Sequence, residues 1–320
     1  MDALSVSRAE AGQKLLNFLQ RRVEAASGEF HKWIRSGQVR LNGGRAKAFD
    51  RVQEGDAVRV PPFAVLKNAD SKHSPRACAV NKTGQDSFFL PIIHEDADIL
   101  VLNKPAGLPT QGGTGHADSV ASRLAARFRD ADFIPAPVHR LDKDTTGLLA
   151  VGKTYAALRR LTDALAGRAG TPPRKEYLAW IWGRWPHPEE RELHDRMGKN
   201  ETAGRMEAGK SAEREEGKDA LSIVRPLEIR KVHGREATLM LVRLLTGRTH
   251  QIRIQFASRG YPLAGDAKYG KPDGESLKLH AFRLTLPENA LQTPPLTVTC
   301  LPLWAPPWDI PTWRQSILLL

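Results

Sequence analysis

A polar loop that runs directly into an apolar segment is the most constraining feature of this sequence. Residues 138–147 include one His, one Arg, two Asp and two Thr, and the apolar residues Leu148 to Val151 follow. Four consecutive apolar residues predict a short buried strand. A strand held in the core can aim the groups of a neighbouring loop while substrate still reaches them. We therefore expect reactive side chains in this loop, with Asp142 as the first candidate.

The charge balance indicates a polyanionic partner. The chain has 320 residues, a net charge of +12 and 41% apolar residues. This length is typical of about two domains, with enough apolar residues for a sizeable core. An isoelectric point of about 9.9 favours nucleic acid over a membrane surface, although a merely soluble basic protein has the same balance.

Cysteine usage and apolar run length predict a cytoplasmic location. The two cysteines, Cys78 and Cys300, form no metal-like cluster, and residues 1–10 lack the apolar stretch of a signal peptide. No apolar run approaches the roughly 20 residues that a membrane span needs. We expect a monomer with no membrane partner, no metal and no cofactor.

Residues 1–60 have the pattern of a small basic α+β module. Apolar residues recur at helical spacing in two segments and then alternate at strand spacing before the turn Asn42-Gly43-Gly44. The basic residues lie mainly off the apolar face: Lys14, Arg21, Arg22, Lys32, Arg35, Arg40, Arg45 and Lys47. A cationic face suits a phosphate backbone, whose condensed counterions Lys and Arg displace. An ordinary solvated face fits the same pattern.

The remaining sequence predicts a linker and a larger domain. Residues 61–90 are polar without a sustained period, which predicts a flexible linker, with an extended arm packed on the next domain as the alternative. Residues 91–320 contain many short apolar segments and few helices. This pattern predicts an α+β domain on a mixed, mostly antiparallel sheet. Residues 194–220 carry dense charge of both signs and predict an exposed hairpin or insertion.

Several common chemistries have no signature in this sequence. There is no metal-ligand spacing, no nucleotide-binding fingerprint and no Gly-x-Ser-x-Gly elbow. An Asp can act as nucleophile or general base without a cofactor, and a nearby Arg favours its charged form. Isolated loop aspartates are also common turn formers. The residues alone leave both roles open for Asp142.

Four motifs, in order, resemble the RluA-type pseudouridine synthases over about residues 92–305. They are Lys104-Pro105-Ala106-Gly107, His139-Arg140-Leu141-Asp142-x-x-Thr145-Thr146-Gly147, Lys175-Glu176-Tyr177 and Gly247-Arg248-Thr249-His250-Gln251-Ile252-Arg253. Residues 12–60, with Val39-x-Leu41-Asn42-Gly43, resemble the S4 RNA-binding domain. Together they are similar to the subgroup that modifies large-subunit ribosomal RNA. Thr146 stands where the family usually has Ser, and Gln255 where it often has His.

The resemblance implies isomerisation of specific uridines in 23S rRNA or in a pre-ribosomal particle. Asp142 would be the catalytic carboxylate that enables the N-glycosidic bond to break, after which the base turns and rejoins the ribose through carbon. Attack on the sugar, attack on the base and abstraction of a ribose proton all remain open. Arg253 would pair with Asp142, and Tyr177 would lie against the base and help to move a proton from C5.

The resemblance also implies RNA contacts. The target uridine must leave its helix, at a cost of a few kcal/mol, and the planar guanidinium of Arg140 could stack in its place. Leu279 would be an apolar wall for the base or a core residue, and Arg248 and His250 would touch RNA phosphate or brace the Arg253 loop. The S4-like contacts would include Lys32, Arg35 and Arg40.

Two other functions remain as alternatives. One is a non-catalytic S4-type RNA-binding or ribosome-assembly protein, which would have no need of Asp142, Tyr177 and Arg253 together. The other is a synthase of the same fold that acts on transfer RNA. The S4-like module favours ribosomal RNA over that second alternative.

Overall fold

The computed structural model describes residues 3–67, 90–112, 118–168, 170–200, 205–209, 217–291 and 294–310. Residues 68–89, most of the predicted linker, lie outside the described residues. So do residues 201–204 and 210–216 of the charged segment. The described residues form a small N-terminal module and a larger unit on one extended sheet.

The N-terminal module contains two helices and two small sheets. Its elements are β1 (Ala3–Ser5), α1 (Leu15–Arg22), β2 (Val23–Glu24), α2 (Ser27–Ser36), β3 (Arg40–Leu41), β4 (Gly44–Arg45), β5 (Ala57–Arg59) and β6 (Val65–Leu66). The two predicted helices and the strands after them are present, but β1 before α1 and β2 between the helices were not predicted. Leu15, Phe18, Phe30 and Trp33 share the core of the module. Because β6 pairs with β2, the packing continues past the predicted boundary at residue 60.

The larger unit is built on an eleven-stranded sheet. Its elements are β7 (Ile92–Glu95), β8 (Ile99–Lys104), α3 (Val120–Arg127), β9 (Ala136–Pro137), β10 (Thr146–Gly152), α4 (Tyr155–Leu165), β11 (Arg174–Trp182), β12 (Arg191–Asn200), β13 (Arg205–Gly209), β14 (Lys218–Val232), β15 (Arg235–Leu244), α5 (Gln251–Ala257), β16 (Leu279–Leu286), α6 (Glu288–Leu291) and β17 (Leu296–Thr299). The strand order is β13-β12-β14-β15-β11-β16-β10-β8-β7, with β17 beside β16 and β9 beside β10. Within the described residues, β10 and β16 are parallel and the other pairs are antiparallel. The predicted α+β class with a mixed, mostly antiparallel sheet is confirmed.

Strand β10 contributes to two cores, because successive side chains of a strand point to opposite faces. Leu149 and Val151 pack in the core that α3 and α5 cover. Leu148 and Ala150 pack in the core beneath α4. Leu141, in the polar loop before β10, belongs to the first core. The loop that carries Asp142 therefore lies on the α5 side of the sheet.

The charged segment 194–220 includes the predicted hairpin, formed by β12 and β13. The expectation of an exposed segment is wrong for part of β12, where Asp195 and Met197 are buried. Ile254 of α5 packs in one cluster with Met197, and Gln255 of α5 donates to Asp195 at 3.1 Å. This burial comes from packing against a distant helix, so local charge density could not predict it.

Two arginines of α1 contact the larger unit. Arg22 donates to Asp132 at 3.2 Å and to the buried Glu10 at 2.6 Å. The Arg21 guanidinium lies 4.3 Å from the centre of the Phe133 ring. These arginines were predicted on the phosphate-binding face, but their contacts join the two units.

Candidate active site

A row of paired residues connects three strands beneath the site. Gly147 on β10 pairs with Ala281 on β16, and Ala281 pairs with Tyr177 on β11. Neighbouring strands lie about 4.8 Å apart, so Tyr177 is two strands from the end of the Asp142 loop. Leu279, two residues before Ala281, packs in the same core. The sheet register thus brings together motifs that are distant in sequence.

Gly147 allows β10 and β16 to approach each other closely. Its φ is +107°, in the region that favours glycine. A Cβ atom at this position would lie 2.3 Å from the Ala281 carbonyl oxygen, well inside van der Waals contact. The glycine that closes the polar loop is therefore required by the sheet itself.

The backbone around Asp142 is held by hydrogen bonds. The Thr145 N–H donates to the Asp142 carbonyl at 3.2 Å, which closes a turn. The buried Thr110 hydroxyl donates to the Leu141 carbonyl at 2.9 Å and accepts the Leu141 N–H at 3.1 Å. The backbone is thus hydrogen-bonded on both sides of Asp142, through Thr145 after it and through Leu141 before it. These bonds fix the direction in which the Asp142 side chain leaves the loop.

Lys104 braces the same loop from the Lys-Pro-Ala-Gly motif. Its buried ammonium donates to the carbonyl oxygens of Pro105, Leu108 and Lys143 at 2.8, 2.8 and 2.9 Å. Burial lowers the pKa of Lys104 to about 8, although the nearby aspartates of the loop act in the opposite direction. The motif was recognised in the sequence, but its bracing of the Asp142 loop was not predicted.

Arg253 lies between two carboxylates. Its Nε and Nη2 donate to Asp266 at 2.8 and 2.7 Å, and its Nη1 donates to Asp142 Oδ2 at 3.4 Å. Burial opposes ionisation of Asp266, but the hydrogen bonds and charge of Arg253 outweigh it, so the pKa of Asp266 is lowered. The predicted contact between Arg253 and Asp142 is present, but the tighter partner is Asp266, which sequence reasoning missed.

His250 and Tyr177 complete the polar surroundings of Asp142. The Nε2 of His250 lies 3.8 Å from Asp142 Oδ2, and its Nδ1 lies 2.7 Å from the Tyr269 hydroxyl. Burial lowers the pKa of His250, although the charge of Asp142 opposes this shift. Burial, and then the charge of Asp142, raise the pKa of Tyr177. The Tyr177 phenol is therefore protonated at neutral pH.

Two buried glutamines fix helix α5. Gln251 accepts the Thr246 hydroxyl at 2.8 Å and the Arg248 N–H at 3.0 Å. The Ser222 hydroxyl accepts from Gln251 at 2.9 Å and donates to Gln255 at 2.6 Å. These bonds anchor α5 to β14, so Arg253 leaves the helix in a fixed direction. The contacts of Gln255 therefore help to anchor the helix.

His139 holds the loop before Asp142 to strand β10 through a hydrogen bond to the backbone. Its Nε2 accepts the Ala150 N–H at 3.1 Å. Burial, and then the positive charge of Lys175, lower the pKa of His139 to about 3. A neutral imidazole fixed by the backbone of β10 helps to shape the loop before Asp142.

The loop, β11 and α5 enclose a cleft of about 560 Å³. The predicted residues that line it are Arg140, Asp142, Tyr177, Arg248, His250, Arg253 and Leu279. Arg140 is exposed, whereas Leu279 is buried and belongs to the core as well as to the wall. Lys32, Arg35 and Arg40 lie outside the cleft, on α2 and β3 of the N-terminal module.

Among the residues that the structure describes, no group of three or more His, Cys, Asp or Glu is placed to hold a metal ion. Among the helices described, none combines the length and apolar character that crossing a membrane requires.

The extended sheet and the cleft on its α5 side, which holds the partly exposed Asp142 carboxylate, have the geometry of an enzyme active site. Residues 98–258 match the family model for RNA pseudouridylate synthase, and the chain belongs to that family. The predicted enzyme class, an isomerase that forms pseudouridine in RNA, is therefore confirmed.

Relatives in bacteria and in humans match most of the chain. It is 35% identical over 287 residues to Ribosomal large subunit pseudouridine synthase C of Pasteurella multocida, covering 88% of this chain and 83% of that protein. The protein of the same name from Escherichia coli K12 is 35% identical over 273 residues, 83% of this chain and 79% of that protein. The structure of Human RNA Pseudouridylate Synthase Domain Containing 1 superposes with a TM-score of 0.59 at 26% identity, over 72% of this chain and 94% of that one.

Proposed function

We propose that this pseudouridine synthase isomerises specific uridines of 23S rRNA, with Asp142 as its catalytic carboxylate. The observation that carries the proposal is the Asp142 side chain, which is 26% exposed in the cleft and lies 3.4 Å from Arg253. The relatives named as large-subunit synthases support ribosomal RNA as the substrate. The net charge of +12 suits a polyanion.

Asp142 acts on a uridine that has left its helix. The N1–C1′ bond breaks, the base turns, C5 bonds to C1′, and the C5 proton leaves while N1 ends protonated. A carboxylate takes part in such a sequence as a nucleophile or as a base. Because two nitrogens of Arg253 are held by Asp266, the third is directed at Asp142 and orients its carboxylate.

Tyr177 supports the base and takes part in the late proton transfer. Tyr177 is 6% exposed and lines the cleft, so a flipped base can lie against it. Because the pKa of the phenol is raised, tyrosinate is scarce at neutral pH. The Tyr177 hydroxyl therefore accepts the C5 proton only while it gives up its own proton. The carboxylate of Asp142, whose charge acts on Tyr177, is a suitable acceptor for the proton that the hydroxyl gives up.

Arg140 and Leu279 act at the two positions that base flipping creates. Arg140 fills the space that the base leaves in the helix, and Leu279 contacts the extruded base. Flipping costs a few kcal/mol of stacking and pairing. Arg140 is exposed at the cleft, and its planar guanidinium can stack and donate hydrogen bonds where the base was. Leu279 gives the base an apolar wall.

The N-terminal module binds RNA through an S4-like surface. Lys32 and Arg35 are exposed on one side of α2, three residues apart. Arg40 on β3 donates to the Gly43 carbonyl at 3.1 Å, in the predicted turn. The contact of Arg22 with Asp132 joins this module to the larger unit, so an RNA held by the module has a defined position relative to the cleft.

Mapping pseudouridine in two RNA pools tests this function. Purified protein is incubated with unmodified transcripts of 23S rRNA and, separately, of transfer RNA. We expect pseudouridine at discrete positions of the rRNA only. Product in transfer RNA alone would refute the proposed substrate, and binding of rRNA without product in either pool would favour the non-catalytic alternative.

A further inference from the structure

Lys175 is a cation of the cleft that the proposed chemistry does not use. It lies on β11 two residues before Tyr177, and both side chains line the cleft. The residue between them, Glu176, is held by Arg174 at 3.0 Å and by Arg283 at 3.2 Å. Because side chains alternate along a strand, the acid of this segment lies on the other face and its lysine faces the substrate.

The ammonium of Lys175 has no hydrogen-bond acceptor or ion-pair partner among the described residues. Lys104 and Lys278, which are more fully buried, donate to three oxygens each. Burial lowers the pKa of Lys175, and no carboxylate offsets the shift. A half-buried cation without a partner is unfavourable, so an anion that enters the cleft would stabilise it.

The surroundings of Lys175 leave room for such an anion. A Cβ atom on Gly247 would lie 3.6 Å from Lys175 Nζ, so the ammonium lies beside a residue with no side chain. Arg248 follows Gly247, lines the same cleft and is half-buried. Its Nε donates to the Asp219 carbonyl at 2.8 Å, which holds the guanidinium stem in place. Two cations and a glycine backbone thus share one wall of the cleft.

We propose that Lys175 binds a backbone phosphate of the RNA next to the target uridine, in a subsite formed with Gly247 and Arg248. This inference rests on the proposed function, since it takes RNA as the ligand. Two residues along a β-strand span about 7 Å. A phosphate bound at Lys175 is therefore close enough to belong to the RNA segment whose flipped base lies against Tyr177. An ammonium is a compact charge with three rotatable donors, which suits a phosphodiester oxygen.

The test is the salt dependence of RNA binding by Lys175→Met in an Asp142→Asn background, where catalysis does not interfere. The probe is an unmodified 23S rRNA transcript. Each neutralised phosphate contributes about −0.7 to −0.9 to the slope of log K against log salt concentration. We expect Lys175→Met to weaken binding about tenfold and to reduce the slope by about one contact. Lys175→Arg should restore the slope.

Lys231→Met is the matched control, because Lys231 is exposed on β14 and does not line the cleft. We expect it to leave affinity and slope nearly unchanged. Lys175→Met should not lower the thermal midpoint, because it removes an unpaired, partly buried charge. With Asp142 intact and RNA saturating, the single-turnover rate of Lys175→Met should stay within a few-fold of the unsubstituted protein.

Two results would overturn the subsite. One is an affinity and slope for Lys175→Met equal to those of Lys231→Met. The other is a large loss of single-turnover rate at saturating RNA with unchanged affinity, which would place Lys175 in the chemistry. Failure of the proposed function is seen separately, as absence of pseudouridine with the unsubstituted protein, while the binding measurement can still be made.

Discussion

The substitution Asp266→Asn keeps the shape of the side chain but removes its charge and one of its two acceptors. In the protein, Asp266 Oδ2 accepts from Arg253 Nε at 2.8 Å, and Oδ1 accepts from Nη2 at 2.7 Å. Oδ1 also accepts the N–H groups of Lys268 and Tyr269 at 3.0 and 3.1 Å. In the variant the amide oxygen can still accept, but the amide nitrogen would place a donor against a donor of Arg253.

The expected loss follows from the burial of this pair. The side chains of Arg253 and Asp266 are 10% and 0% exposed, so water cannot replace the lost acceptor. Removing one partner of a buried ion pair costs about 3–5 kcal/mol, because the remaining charge stays buried without compensation. We expect Asp266→Asn to lower the free energy of unfolding by about 3 kcal/mol, near the lower limit, since one oxygen is retained.

Urea unfolding and single-turnover pseudouridine formation measure the two consequences. Released from Asp266, Arg253 no longer orients Asp142, so we expect the rate to fall about tenfold or more, in the range of misplaced catalytic groups. The control is Glu10→Gln, a buried glutamate of the N-terminal module that pairs with Arg22 at 2.6 Å outside the cleft. It should lower stability and leave the rate of folded protein nearly unchanged. A loss of stability under about 0.5 kcal/mol for Asp266→Asn, typical of surface changes, would refute this reasoning.

Two further predictions concern stability. Gly147→Ala places a Cβ 2.3 Å from the Ala281 oxygen at φ +107° and should cost about 3 kcal/mol or more in urea unfolding. Gly234→Ala, at φ +77° with nothing within 4 Å, should cost only about 1–2 kcal/mol, and equal losses would contradict the predicted clash. Burial lowers the pKa of His280 to about 4, so the unfolded chain binds the proton first. Stability should therefore fall as the pH falls from about 6.5 to 4, by up to about 1.4 kcal/mol per pH unit from this group; His280→Gln should reduce the slope, and an unchanged slope would contradict the assignment.

Local patterns were sufficient for the main elements and for the position of Asp142. The apolar run Leu148 to Val151, which predicted a short buried strand, lies within the buried strand β10. Hydrophobic pattern is a property of residues that are close in sequence, so it predicts a strand without knowledge of the strands beside it. It could not predict the register that places Tyr177 in one row with Gly147.

The residues that the sequence did not identify act through tertiary contacts. Asp266 follows a glycine in a turn, where aspartate commonly forms turns by itself, and its pairing with Arg253 depends on how that turn packs against α5. Lys104 belongs to a recognised motif, but its three carbonyl partners come from two separate segments. Helix α5 itself was not predicted, because buried glutamines and an arginine interrupt its apolar pattern.

The central claim is that the Asp142 carboxylate carries the isomerisation. It is tested most directly by the single-turnover rate of pseudouridine formation in unmodified 23S rRNA by Asp142→Asn, with the exposed neighbour Asp144→Asn as the control. Asparagine keeps the shape but can serve neither as nucleophile nor as base, so we predict a fall of at least about 10³-fold. The control should remain within a few-fold of the unsubstituted protein. Product formed by Asp142→Asn at an undiminished rate would contradict the account.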